Sequence, residues 1–280
     1  MLKKLSLLLL FVGLTATSYA QIKTPQPSPA AKMEQVVGLT DVSVEYSRPA
    51  MRGRTIFGDL VPYGEVWRTG ANANTKITFG DNVTIDGQEL KKGTYAIFTI
   101  PNETSWDVIF YSDSNNWGAP QKWDESKVAA KTTAKVEEMP MSIESFTLTF
   151  DDVKTGSAIL GMLWENVYVG VTFEVPTDKI TSKSIETVMA GPSGNDYFQA
   201  ASYYHAEGKD LKQALAWMQK ATAGDNPPFW YLRRMSLIQA DLGDKAGAIA
   251  TAKKSLEGAM KANNADYVKM NKESIAKWQK

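Results

Sequence analysis

The residues best suited to binding a ligand are concentrated between positions 46 and 74. The chain has six arginines among its 31 basic residues, and four of them lie in this stretch: Arg48, Arg52, Arg54 and Arg68. Arginine presents a planar fork of donors that matches a carboxylate or a phosphate. Flat aromatic surface and an amide group come from Tyr46, Tyr63, Trp67 and Asn72. These residue types together are typical of a recognition surface for a small anionic ligand or a glycan.

A structural role is the alternative interpretation of the same arginines. Glu45, Asp59 and Glu65 lie among them and could form ion pairs with all but one. A long ordered loop also needs donors for its backbone carbonyl groups, and arginine side chains can supply them. The two interpretations differ in whether the guanidinium groups face an open cavity or are used in internal contacts.

A second group of aromatic residues follows the polar run Asp113-Ser-Asn-Asn. Trp117 and Gly118 come directly after it, and Trp123 lies a few residues further on. An exposed tryptophan in a loop can stack on a sugar ring, so Trp117 is a candidate binding residue. Tryptophan also closes the ends of β-sandwiches, and that role is the alternative.

The residues available for catalysis are few, and the sequence leaves the catalytic residues unassigned. His205 is the only histidine, so a metal site built from several histidines is excluded. The chain has no cysteine, which excludes disulfides and a thiolate nucleophile. A hydrolase acting on carbohydrate or cell-envelope material through Asp and Glu remains the alternative function, and it would need two carboxyl groups about 5–9.5 Å apart. We expect no cofactor and no metal.

Alternating apolar and polar residues predict strands over residues 36–180. Val42, Val44 and Tyr46 alternate with polar neighbours, and five apolar residues from Val167 to Val175 alternate most regularly. Asp86 and Gly87 suit a two-residue type I′ turn, because both tolerate a positive φ. Short strands at this spacing favour an antiparallel β-sandwich.

The period changes to that of amphipathic helices over residues 181–280. A segment beginning at Asp210 matches one beginning at Asp244, and this spacing of 34 residues is the tetratricopeptide period. The fold class is therefore a β-sandwich followed by a short helical tetratricopeptide-like array. Such arrays form concave surfaces that can hold a peptide. About three repeats are normally needed for stability, so we expect this array to be marginal on its own.

The first residues resemble a signal peptide. Lys3 and Lys4 precede a short apolar run, and small residues lead up to Ala20. We predict a signal peptide over residues 1–20, a mature chain that starts at Gln21, and a proline-rich linker over residues 21–35. The protein is then expected in the periplasm or secreted, with no integral membrane segment after cleavage. The formal net charge is zero, so the strong basic field of a nucleic-acid-binding protein is absent.

Several motifs together resemble one family. They are Ser47-Arg-Pro, the run from Gly53 to Asn72 (Gly-Arg-Thr-Ile-Phe-Gly-Asp-Leu-Val-Pro-Tyr-Gly-Glu-Val-Trp-Arg-Thr-Gly-Ala-Asn), Gly93-Thr-Tyr and Trp117-Gly. The chain is similar here to the domain-of-unknown-function family 2911, from about Ser28 to Val175. The resemblance implies an exported bacterial protein, often with a similar helical tail. It implies no activity, so function has to be argued from the residues.

Overall fold

The computed structural model describes residues 24–189 and 191–280. The chain divides into two compact units between Val175 and Pro176. The described part of the first unit is built from strands and that of the second from helices, which confirms the predicted fold class. The predicted signal peptide and its cleavage site lie outside the described residues.

Nine strands are found among the described residues of the first unit, and most of them match the predicted alternation. Their bounds are β1 (Ala30–Val37), β2 (Thr40–Ser47), β3 (Lys76–Phe79), β4 (Val83–Ile85), β5 (Gln88–Leu90), β6 (Gly93–Pro101), β7 (Ser105–Tyr111), β8 (Val128–Asp151) and β9 (Ser157–Glu174). The predicted turn at Asp86 and Gly87 joins β4 to β5, with φ values of 50° and 74°. Both values lie in the left-handed region that a type I′ turn requires.

The strands pair antiparallel throughout, in the order β1-β2-β3-β6-β7-β8-β9-β4-β5. The long strand β8 belongs to both halves of this arrangement. Its first part pairs with β7 as far as Lys135, and its remainder pairs with β9 from Val136 onward. Irregular register beyond Glu138 bends the strand, as β-bulges do. The sheet therefore folds over at β8 into two facing layers.

Large side chains fill the space between the two layers. In β2 the side chains of Val42, Val44 and Tyr46 are buried, whereas Asp41 and Glu45 are exposed. Aromatic rings of opposite layers meet edge to face, with ring centroids 5.9 Å apart for Tyr46 and Phe146 and 5.5 Å apart for Phe79 and Phe173. The alternation in the sequence thus becomes an apolar inner face, because successive strand residues point to opposite sides.

The β unit and the predicted β domain have different boundaries at both the N-terminal and the C-terminal end. Strand β1 begins at Ala30, within the segment predicted as a linker, and pairs with β2 along all eight of its residues. Ala31 and Met33 pack against the core while Lys32 and Glu34 are exposed, as in an ordinary strand. The alternation is short and follows three prolines, which are typical of a linker, and for that reason it was not predicted as a strand. The first helix begins at Thr177 rather than at residue 181.

Six α-helices are found among the described residues of the second unit. They are α1 (Thr177–Val188), α2 (Gly194–Ala206), α3 (Leu211–Ala221), α4 (Phe229–Asp241), α5 (Lys245–Lys261) and α6 (Ala265–Trp278). Asp210 and Asp244, the residues that carry the repeat, cap the N-termini of α3 and α5 by accepting backbone hydrogen bonds. Gly208 and Gly243 precede them with positive φ. Within the described residues, none of the helices is long and apolar enough to cross a membrane.

Candidate functional site

The connection from β2 to β3, residues 48–75, is a long irregular segment attached to both layers of the β unit. Trp67 and Thr99 of β6 exchange two backbone hydrogen bonds of 2.7 and 2.9 Å. Met51 donates its backbone N–H to the carbonyl oxygen of Glu144 in β8, at 2.8 Å. Arg52, with φ of 51°, and Gly53, with φ of 73°, turn the chain sharply between these attachment points. The segment is therefore held in place although it has little regular structure.

A cavity of about 420 Å³ lies beside this segment, and we call it the arginine cavity. Three arginines line it: Arg52, Arg54 and Arg68. Its other lining residues are mostly apolar or small, namely Pro27, Ser28, Pro49, Ala50, Leu60, Val61, Trp67, Gly70, Ala71, Asn72 and Trp164. Among the described residues, no Asp or Glu lines it. The cavity thus combines positive charge with an apolar floor.

Arg52 and Arg54 are exposed and keep most of their donors free of other described residues. Arg54 donates from Nε to the carbonyl oxygen of Met51 at 2.9 Å and from Nη2 to that of Ala50 at 2.7 Å. Arg52 donates from Nη2 to the carbonyl oxygen of Pro27 at 2.6 Å. A guanidinium has five N–H donors. Several donors on each side chain therefore remain for a ligand.

Arg68 is half-buried and donates from Nη1 to the carbonyl oxygen of Asn72 at 3.2 Å. Its guanidinium lies against Gly118, where a Cβ atom would be 3.1 Å from Nη1. Gly118 also has a φ of 89°, which disfavours any residue with a side chain. The glycine at this position therefore allows Arg68 to lie close to the loop that follows β7.

Arg48 and Tyr46 lie outside the arginine cavity and join the two layers of the sheet. Arg48 donates from Nε to the carbonyl oxygen of Phe146 at 3.1 Å and from Nη2 to Oγ1 of Thr147 at 2.7 Å. The hydroxyl of buried Tyr46 accepts a hydrogen bond of 3.1 Å from the backbone N–H of Leu148. These contacts are internal, so the structural interpretation describes these two residues.

The ion pairs that the structural interpretation allows for the arginines are not formed within the part of the chain that the structure describes. None of Arg48, Arg52, Arg54 and Arg68 has a carboxylate partner there, and Glu45 lies 3.8 Å from Lys32 instead. The guanidinium groups are held by neutral carbonyl and hydroxyl oxygens instead. This is the electrostatic feature that distinguishes the cavity.

Trp67 forms part of the cavity floor and of a cluster of aromatic rings. Its ring stacks on Trp164 with 5.8 Å between centroids and 19° between planes. Edge contacts join it to Phe57, Trp106 and Phe146, at 6.3, 6.1 and 5.2 Å. The indole is thus fixed by packing, while part of it remains accessible to the cavity.

The other predicted residues are divided between the cavity and the surface. Asn72 lines the cavity, and its Nδ2 donates to the carbonyl oxygen of Ser28 and to Oγ of Ser47, both at 3.2 Å. Tyr63 is exposed and lies outside the cavity lining. Burial of part of its ring, followed by the charges of Glu103 and Glu165, raises the pKa of Tyr63.

The two tryptophans of the loop after β7 have different environments. Trp123 packs on the outer face of the sheet against Phe98 and Tyr111, with centroids 5.5 and 4.7 Å apart. Trp117 is 75% exposed. Trp123 therefore has the packing role that was the alternative for this loop. Trp117 has the accessible ring that a binding residue needs.

Several residues of the cavity were not assigned to a site by sequence reasoning. Trp164 lies within the alternation of β9, where it reads as an ordinary core residue, and Leu60 and Val61 lie in a loop without a pattern. Arg52 belongs to the arginine cluster, and the clustering was the only signal that could have indicated it. Strand β9 comes close to this loop because the sheet folds over at β8. A local sequence pattern cannot indicate that long-range contact.

The single histidine lies in the helical unit, in a network of its own. His205 Nε2 is 2.8 Å from Oδ2 of Asp241, and its Nδ1 is 2.9 Å from Nη1 of Arg234. Across residues 24–189 and 191–280, no group of three or more His, Asp or Glu side chains is placed to hold a metal ion. The arginine cavity is therefore the better candidate site.

Comparison with known proteins gives one match. No curated protein and no solved structure matches the chain. The sequence profile of a family described as proteins of unknown function, DUF2911, matches residues 28–173. This span is more than half of the chain and includes every residue that lines the arginine cavity except Pro27. The chain belongs to the DUF2911 family.

Proposed function

We propose that the protein is exported and that its β unit binds a small anionic ligand in the arginine cavity. One observation carries this proposal: Arg52, Arg54 and Arg68 line a single cavity that has no described Asp or Glu in its lining, and none of the three forms an ion pair with a described carboxylate. Several guanidinium donors in that cavity are also unused by the described protein atoms.

The physical setting favours anion binding. The volume of about 420 Å³ is within the range of roughly 300–1,000 Å³ that is typical of small-molecule sites. Arg54 is positioned by carbonyl oxygens of its own loop, and Arg52 by the carbonyl oxygen of Pro27. Their guanidinium groups are therefore partly preorganised for a ligand. The apolar floor at Trp67 and Trp164 offers contact area to the carbon part of an organic anion. A carboxylate or another oxyanion would receive charge-assisted hydrogen bonds here.

A hydrolase using two carboxyl groups is less well supported at this cavity. Glycoside hydrolysis needs a pair of Asp or Glu side chains about 5–9.5 Å apart. Among the described residues the cavity lining has neither type, and the neighbouring Glu144 accepts a hydrogen bond of 2.9 Å from the backbone N–H of Arg52. Binding is therefore the function that the geometry supports better.

The export proposal rests on the signal-like first twenty residues. The mature protein is expected to begin at Gln21. N-terminal sequencing of material released by osmotic shock would check this. A chain with Met1 intact, recovered from the membrane fraction, would contradict it.

The binding proposal is tested by removing the exposed guanidinium group of Arg54. Arg54→Ala should weaken binding of an organic anion such as glucuronate or citrate at least about tenfold, because a charge-assisted hydrogen bond contributes roughly 1.5–3 kcal/mol. Isothermal titration calorimetry at low ionic strength measures the affinity, which should also fall as salt is added.

Lys154→Ala is the matched control, since Lys154 is an exposed cation of the same unit that pairs with Asp152 at 2.6 Å and does not line the cavity. This variant should bind anions as the unmodified protein does. Equal loss of binding in Lys154→Ala and Arg54→Ala would show a general charge effect and refute a specific site.

A further inference from the structure

We infer that the ligand of the arginine cavity is an acidic oligosaccharide, and that one of its sugar rings stacks on Trp117 outside the cavity. This inference rests on the proposed function, because it assigns a ligand class to the same site. It starts from an indole that is 75% exposed in a loop whose neighbouring tryptophan, Trp123, is packed against the sheet. The exposed face of this indole is available for stacking, and its burial against a ligand would be favourable.

The backbone on both sides of Trp117 is anchored by one buried residue. Asn74, which is only 4% exposed, donates its backbone N–H to the carbonyl oxygen of Asn116 at 3.2 Å. Its Oδ1 accepts from the backbone N–H of Asn116 at 2.9 Å, and its Nδ2 donates to the carbonyl oxygen of Gly118 at 2.8 Å. An exposed ring on a fixed backbone loses little conformational freedom when it binds, which favours recognition.

The same anchoring links the indole to the arginine cavity. Gly118, the next residue after Trp117, lies against the guanidinium of Arg68, where a Cβ atom would be 3.1 Å from Nη1. Arg68 in turn lines the cavity and donates to the carbonyl oxygen of Asn72. Trp117 is thus the chain neighbour of a residue that lies against one of the arginines of the cavity.

The chemistry of the two parts selects the ligand. Guanidinium groups bind an oxyanion, and a flat indole offers an apolar face for the C–H side of a pyranose ring. Trp117 does not line the cavity, so a ligand that contacts both must extend beyond its volume of about 420 Å³. An oligosaccharide with carboxylate or sulfate groups meets these requirements, whereas a single sugar acid reaches only the arginines.

The test compares ligand lengths by calorimetry, using galacturonate, tetragalacturonate, a sulfated tetrasaccharide and a neutral tetrasaccharide. The unmodified protein should bind tetragalacturonate or the sulfated tetrasaccharide at least about tenfold more tightly than galacturonate. It should bind the neutral tetrasaccharide more weakly than either acidic one. Whichever acidic tetrasaccharide binds more tightly identifies the anionic group.

Variants then separate the two parts of the site. Trp117→Ala should abolish the advantage of the tetrasaccharide while leaving the affinity for galacturonate unchanged, and Trp117→Phe should restore part of it. Arg54→Ala should weaken the binding of both. Trp230→Ala is the matched control, because Trp230 is also exposed, at 42%, but belongs to the helical unit. It should bind every ligand as the unmodified protein does.

The outcomes distinguish this inference from the function on which it rests. If galacturonate binds through Arg54 but the tetrasaccharides show no advantage that depends on Trp117, the oligosaccharide inference is wrong and anion binding stands. If an aromatic carboxylate such as 4-hydroxybenzoate binds more tightly than every tetrasaccharide, the ligand class is wrong. If no anion binds, both proposals fail.

Discussion

The β unit and the helical unit are stabilised by different kinds of core. The fully buried aromatic side chains among the described residues all belong to the β unit, and they include Trp106, Trp164 and Phe146. The fully buried apolar residues of the helical unit are mostly small: Ala201, Ala214, Ala248, Ala252, Ala259, Met218 and Ile238. Large rings bury more apolar area per residue, whereas alanines allow helices to approach closely without burying much.

The two units also differ in their buried polar groups. Buried Thr69 and Thr75 of the β unit form side-chain hydrogen bonds within the loop that borders the arginine cavity, and Thr69 also bonds to Oγ1 of Thr99 in β6. In the part of the chain that the structure describes, four buried side-chain oxygens lack a protein partner, and all four lie in the helical unit: on Thr177, Ser202, Gln239 and Asn271. The buried polar side chains described in the β unit are thus fully hydrogen-bonded, and a preorganised site depends on such support.

The largest expected loss of stability tests whether the aromatic core stabilises the β unit. Trp164→Ala should destabilise the β unit by about 3–5 kcal/mol, because it removes a fully buried ring and leaves a cavity beside Trp67. Chemical denaturation followed by circular dichroism measures the change. Trp117→Ala is the control and should shift the free energy of unfolding by less than about 0.5 kcal/mol, since its ring is exposed. Equal effects of the two variants would show that the ring cluster does not dominate the stability.

A smaller effect distinguishes arginines that join the layers from arginines that face the cavity. Arg48→Ala should destabilise the β unit by about 1.5–3 kcal/mol, because it leaves the carbonyl oxygen of Phe146 and the hydroxyl of Thr147 without a charged donor. Arg54→Ala should cost less than about 0.5 kcal/mol, since Arg54 is exposed and contacts only its own loop. Thermal denaturation of the two variants side by side measures the difference. A loss of stability in Arg54→Ala as large as in Arg48→Ala would assign both to a structural role.

The smallest effect is expected in the helical unit. Asp210→Ala should destabilise that unit by about 1 kcal/mol, because the side chain caps α3 by accepting from the backbone N–H groups of Lys212 and Gln213. Asp210→Asn should retain most of the stability, since asparagine caps equally well. The helical signal at 222 nm during thermal denaturation measures both. If the alanine variant melted as the unmodified protein does, packing rather than capping would determine where α3 begins.

The elements of the fold could largely be predicted from the sequence, and the candidate site only in part. The arginine cluster was predicted as the binding site, and four of its predicted residues line one cavity: Arg54, Trp67, Arg68 and Asn72. The roles of Arg48 and Tyr46 could not be predicted, because their partners lie in β8, about a hundred positions along the chain. Strand β1 was missed because prolines close to it are typical of a linker.

The sequence by itself determined what depends on near neighbours. The alternation around Val44, the turn at Asp86 and the caps at Asp210 and Asp244 are local, since each is decided by backbone geometry within a few residues. Only the tertiary structure decided which guanidinium groups remain available and which tryptophan of the loop remains exposed. Those outcomes depend on where distant carbonyl groups and rings lie after the sheet folds over at β8, and no local pattern encodes that position.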